Sequence, residues 1–76
     1  MKPIYLRTIR ERKKLTQAQL GERAGVLQKT ISKLETDSDT KPAFDTVAKL
    51  ADALGIDPRA LKFGPDPARG REALAS

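Results

Sequence analysis

The chain has 76 residues with fifteen Lys/Arg, ten Asp/Glu, no cysteine and no histidine, and carries a net charge of +5. That is one small domain, and it excludes disulfide staples, cysteine-ligated zinc, thiol nucleophiles and imidazole acid–base chemistry. The charge is lopsided: residues 1–35 carry nine Lys/Arg against three Glu, whereas residues 36–76 carry six against seven acids.

A basic excess on one part of a small domain is the footprint of a polyanion binder, and a lysine-rich solvated surface is the competing reading. The start, "MKPIYLRTIR", has no apolar signal core, and no stretch approaches membrane-spanning length. We therefore expect a soluble, cytoplasmic protein.

Helical periodicity dominates, and no segment sustains strand alternation. The first helix is expected over residues 3–13, with Pro3 in its first turn and Leu6 and Ile9 inward. "TQAQ" is a Thr-x-x-Gln capping box that opens a second helix at Thr16. Leu20 and Ala24 face its core side. Gly25 ends it, in the left-handed conformation that glycine adopts cheaply.

A third helix is expected over 27–35. On a helical projection Gln28, Ser32, Lys29 and Lys33 spread over an arc of about 140°, and Thr30, Leu34, Leu27 and Ile31 take the other side. The apolar side pins the helix to its neighbours. The polar arc offers amide, ammonium and hydroxyl groups with no acid among them. Glutamine can pair with adenine N7 and N6, lysine can donate to guanine, and serine suits either edge. An ordinary solvated face is the alternative.

"TDSDTKP" reads as a polar loop closed by proline. A fourth helix over 43–54 follows from Phe44, Val47, Ala51 and Leu54, and Gly55 stops it. Asp57 and Pro58 then start a short fifth helix as N-cap and first helical residue. From Gly64, "GPDPARGREALAS" lacks a large apolar cluster and reads as a mobile tail. The expected division is a domain over 1–63 and a tail over 64–76.

"QAQLGERAGVLQKTISKLET", within a match from about residue 6 to 61, resembles the helix-turn-helix of the Cro and C1-type repressor family, also called the XRE family. The resemblance implies an all-α, compact five-helix domain, lambda-repressor-like, with the helix-turn-helix at helices 2 and 3. It implies Gly21 as the small residue where those helices cross and Gly25 as the turn glycine. Leu20, Ala24, Val26, Ile31 and Leu34 match the family's apolar core positions.

The same resemblance gives roles at the DNA. Gln28 matches a base-reading glutamine, and Lys29, Ser32 and Lys33 match variable positions that select the operator. Gln17 and Lys41 match phosphate contacts. Arg10 and Glu35 match a pair joining helix 1 to the end of helix 3, with Arg10 a further candidate at the phosphates and Glu35 its structural support. Two departures stand out. Leu27 replaces the frequent capping Ser or Thr, and "TDSD" puts two acids where phage repressors often have lysine or asparagine.

Other chemistry is poorly served. "DSDTKP" opens like a calcium loop but has Pro42 where the turn needs glycine. Ser32 and Lys33 are adjacent rather than placed for nucleophile activation. No cofactor, metal or enzymatic activity is expected. The expected function is sequence-specific binding of double-stranded DNA by a transcriptional regulator, a repressor acting as a homodimer on a palindrome. Ile56, Leu61 and Phe63 are the dimer candidates. An antitoxin whose tail folds onto a toxin, and an interaction module that has lost DNA binding, are the rival readings.

Overall fold

The computed structural model describes residues 2–66. In chain order these form strand β1 (Ile4–Tyr5), helices α1 (Leu6–Arg12), α2 (Gln17–Ala24), α3 (Gln28–Thr36) and α4 (Phe44–Leu54), a 3₁₀ turn at Pro58–Ala60 and strand β2 (Leu61–Lys62). Four α-helices are present among the described residues, not five.

The local signals place the helix ends. At the start of α2, the Thr16 hydroxyl accepts the Gln19 amide at 3.0 Å, and the Gln19 side chain accepts the Thr16 N–H at 2.9 Å. Two otherwise unpaired donors are satisfied by side chains three residues apart. Gly25 closes α2 at φ +70°, in the left-handed region where a Cβ is strained. Asp57 accepts the Arg59 N–H at 2.8 Å, as an N-cap should.

The expected fifth helix is a single 3₁₀ turn, because Leu61 leaves helical geometry at φ −79°, ψ 127°. Leu61 and Lys62 pair instead in parallel with Ile4 and Tyr5. A one-turn helix fixes several residues for very few bonds, whereas the ladder satisfies backbone groups of both segments and buries Leu61. The same pairing shortens the first helix. Pro3 precedes β1, and α1 begins only at Leu6.

Leu6, Ile9, Leu20, Ile31, Leu34, Leu50, Ala51, Leu54 and Leu61 form one core, with Val26, Val47, Ile56 and Phe63 packed against it. α2 packs on both α3 and α4, and α1 rests on α3. Two expected core residues are elsewhere. Phe44 is 78% exposed, since the buried stripe of α4 runs through Val47, Leu50, Ala51 and Leu54 and its first residue lies beyond the core's edge. Leu27 is 74% exposed because it precedes α3 in extended backbone rather than lying on its inner face.

Gly64 and Asp66, past β2, are bonded to the body. Gly64 is buried at φ +93°, and its N–H donates to the Leu34 carbonyl at 2.7 Å. That carbonyl lies in the last turn of α3, where intrahelical donors run out, so the bond caps the helix from a distant segment. The Thr8 hydroxyl donates to Asp66 at 2.8 Å. The rest of the expected tail, residues 67–76, lies outside the described residues.

Candidate nucleic-acid interface

The geometry of α2 and α3 is decided at their crossing. A Cβ on Gly21 would lie 2.6 Å from the Val26 carbonyl oxygen and 3.6 Å from the Gln28 backbone nitrogen. Backbone cannot give way as a flexible side chain can, so the absence of a side chain at Gly21 lets the turn close. The Val26 N–H then donates to the Gly21 carbonyl at 3.0 Å. At Gly25 a Cβ would meet nothing within 4 Å, so that glycine answers to backbone conformation alone.

Within α3 the two sides separate as the projection predicts. Ile31 and Leu34 are buried, and Gln28, Lys29 and Lys33 are exposed. Ser32 is half-buried, and its carbonyl accepts the Thr36 hydroxyl at 3.0 Å. Three exposed polar side chains and one hydroxyl therefore share one face of a helix whose position is set by its apolar side.

The far end of α3 is tied down by charge. Glu35 is 4% exposed and Arg10 is 9% exposed. Arg10 Nε donates to Glu35 Oε2 at 2.6 Å, and its second terminal nitrogen donates to Glu35 Oε1 at 3.0 Å. This is a two-pronged guanidinium–carboxylate pair, the strongest ordinary geometry for these groups. Arg10 also donates to the Leu15 carbonyl at 2.7 Å. The hydrogen bond to Glu35 raises the guanidinium pKa, with burial acting against it.

Gln17 joins the same cluster, its amide donating to Glu35 Oε1 at 3.1 Å. Both residues that the resemblance sends to phosphates, Arg10 and Gln17, thus have donors engaged on Glu35. One carboxylate links α1, the start of α2 and the end of α3, and Arg10 extends the cluster to the α1–α2 turn. Lys41 is exposed in the loop after α3. In that loop Asp37 accepts the Asp39 N–H at 2.9 Å, so one of the two acids shapes the turn.

Of the dimer candidates, Leu61 is 7% exposed within the core, while Ile56 and Phe63 are half-buried against it. Sequence reasoning missed the exposure of Leu27 and the Gly64 bond to α3. The missing Ser or Thr at residue 27 signalled an uncapped helix, but nothing local signalled Gly64. Among the described residues no group of His, Cys, Asp and Glu could hold a metal ion. No helix there is long and apolar enough to cross a membrane.

A family model described as helix-turn-helix matches residues 6–61, most of the chain. No curated protein matches it.

Proposed function

The chain belongs to the Cro/C1-type helix-turn-helix family of DNA-binding regulators, and from that premise we propose that it is a sequence-specific repressor reading a palindromic operator as a homodimer. In this reading α3 lies in the major groove and α2 crosses the backbone, the docking of the helix-turn-helix class. Gln28 reads an adenine edge, and Lys29, Ser32 and Lys33 choose among neighbouring bases. Lys41 and the backbone amides at the start of α2 meet phosphates. Arg10, Gln17 and Glu35 hold α2 and α3 in register.

The observation that carries the reading is the division of α3: an exposed Gln28–Lys29–Lys33 face backed by buried Ile31 and Leu34 and by the locked Glu35. A helix fixed on one side and polar without acid on the other can insert as a rigid reader. The dimer contact falls to Ile56 and Phe63, since Leu61 belongs to the core.

Selection of bound duplexes from a random pool tests this. Two half-sites with centres roughly 34–36 Å apart are expected. Gln28→Ala should cost about 1–3 kcal/mol on the preferred duplex, and almost nothing once the base pair it reads is altered. If the loss is the same on every sequence, α3 is a basic surface and not a reader. A single unrepeated half-site would remove the dimer.

A further inference from the structure

The chain turns left-handed after three of its helices. After α2 and α4 the residue that does so is glycine, Gly25 at φ +70° and Gly55 at φ +71°. After α1 it is Lys14 at φ +58°, the one non-glycine residue at positive φ among the described residues. A side chain strains the backbone there, and glycine would not. Residues kept in such conformations concentrate at functional sites, where the surroundings over-determine them.

The surroundings of Lys14 do that. The Lys13 N–H donates to the Ile9 carbonyl at 3.1 Å, the Lys14 N–H to that of Glu11 at 2.9 Å, and the Leu15 N–H to that of Arg10 at 3.1 Å. The Arg10 side chain holds the Leu15 carbonyl at 2.7 Å, and the Thr16–Gln19 box opens α2 directly afterwards. Arg12, Lys13 and Lys14 are all exposed, and none of them enters an ion pair among the described residues. The sequence has no acid from Arg12 to Gly21. A fixed turn therefore carries three uncompensated cations to the approach of Gln17. A helix C-terminus attracts cations, but Arg12 and Lys13 supply that attraction without strain.

We propose that the α1–α2 turn is a further backbone site, at which Lys14, with Lys13 beside it, binds phosphates of the DNA flanking the half-site read by α3. The inference rests on the reading of α2 as the helix that crosses the DNA backbone, and adds to it a contact outside the operator bases. Three residues separate Lys14 from Gln17, so their Cα atoms lie within about 11 Å of each other. Phosphates of one strand advance about 3.4 Å along the axis, so a strand that meets the start of α2 continues past it within reach of the turn. A lysine ammonium takes a phosphate as a point charge on a flexible stem. The site adds affinity and carries no sequence preference.

The test compares Lys14→Gly with the parent on two duplexes of the selected sequence, one flanked by about ten further base pairs on each side and one cut at the ends of the half-sites. On the flanked duplex the variant should bind several-fold more weakly, with a log–log salt slope shallower by about 0.9. The parent's advantage should then shrink about 3.5-fold between 50 and 200 mM salt. On the cut duplex the two should bind alike, and the variant should select the same sequence. Its melt should lie at or above the parent's, because glycine relieves the backbone. Lys14→Asn, uncharged and tolerant of the same conformation, should repeat the loss on the flanked duplex alone. If both variants match the parent on the flanked duplex, or weaken the two duplexes equally, the phosphate site is overturned and α3 stands as a reader. If the parent binds no duplex, the DNA reading falls, and this inference with it.

Discussion

Removing the Glu35 carboxylate should come close to unfolding this domain. In Glu35→Ala, Arg10 loses two of its three hydrogen bonds, those of 2.6 and 3.0 Å, and keeps only the Leu15 carbonyl. Arg10, only 9% exposed, is left without the Glu35 counter-charge. Breaking a buried pair in this way costs roughly 3–5 kcal/mol. A domain of this length has a total stability of about 4–11 kcal/mol at the usual value per residue. The variant should therefore lie near its unfolding midpoint or lose a large part of its denaturant tolerance. Urea unfolding followed by far-UV circular dichroism measures this directly.

The double variant Arg10→Met/Glu35→Leu should behave differently. Replacing a whole buried pair by apolar groups is often neutral or favourable by 1–4 kcal/mol or so. Here the gain is offset, because the Leu15 carbonyl loses its donor at a cost of about 1–3 kcal/mol. The double variant should thus match the parent within roughly 3 kcal/mol and be more stable than Glu35→Ala. A loss below about 1 kcal/mol in Glu35→Ala would mean that the pair behaves as an exposed one, and the reasoning from burial would be refuted.

Other outcomes follow from single contacts. Gly21→Ala should gain about 0.5–1 kcal/mol of helix preference but lose roughly 1–3 to the clash with the Val26 carbonyl, so its melting temperature should fall; a rise would show that the turn can open. Leu27→Ser should raise stability by about 1 kcal/mol by capping α3, which has no side-chain cap bond; no gain in urea tolerance would mean that residue 27 cannot act as a cap. Lys41→Ala should weaken all duplexes about equally and make the log–log salt dependence shallower by about one unit, and an unchanged slope would remove Lys41 from the phosphates. The Asp57 carboxyl is held below the usual carboxylate range by the Arg59 side chain and then by its N–H. Its contribution is therefore complete above the unfolded value and fades as pH falls through the lowered one; Arg59→Ala should move the Asp57 titration upward by NMR, and no movement would dismiss the contact.

The sequence by itself determined where α2 begins and ends, where α4 ends and where the 3₁₀ turn starts. The Thr16–Gln19 box, Gly25, Gly55 and Asp57 act through bonds or dihedral angles within a few residues, so the local text contains the whole interaction. The two-sidedness of α3 was legible for the same reason, since a fixed angle per residue sorts Gln28, Lys29 and Lys33 from Ile31 and Leu34. Tertiary structure decided the rest. Leu61 became a strand residue because Ile4, far away in the chain, offered it a ladder partner that no local spacing announces. Phe44 and Leu27 are apolar in composition but exposed, because the core ends before it reaches them. Arg10, Gln17 and Glu35 converge from three elements, and only their convergence buries the charge and turns donors away from the surface. Gly64 completes the end of α3 from the other end of the fold, through a bond that exists only once Leu34 and Gly64 have been brought together by packing.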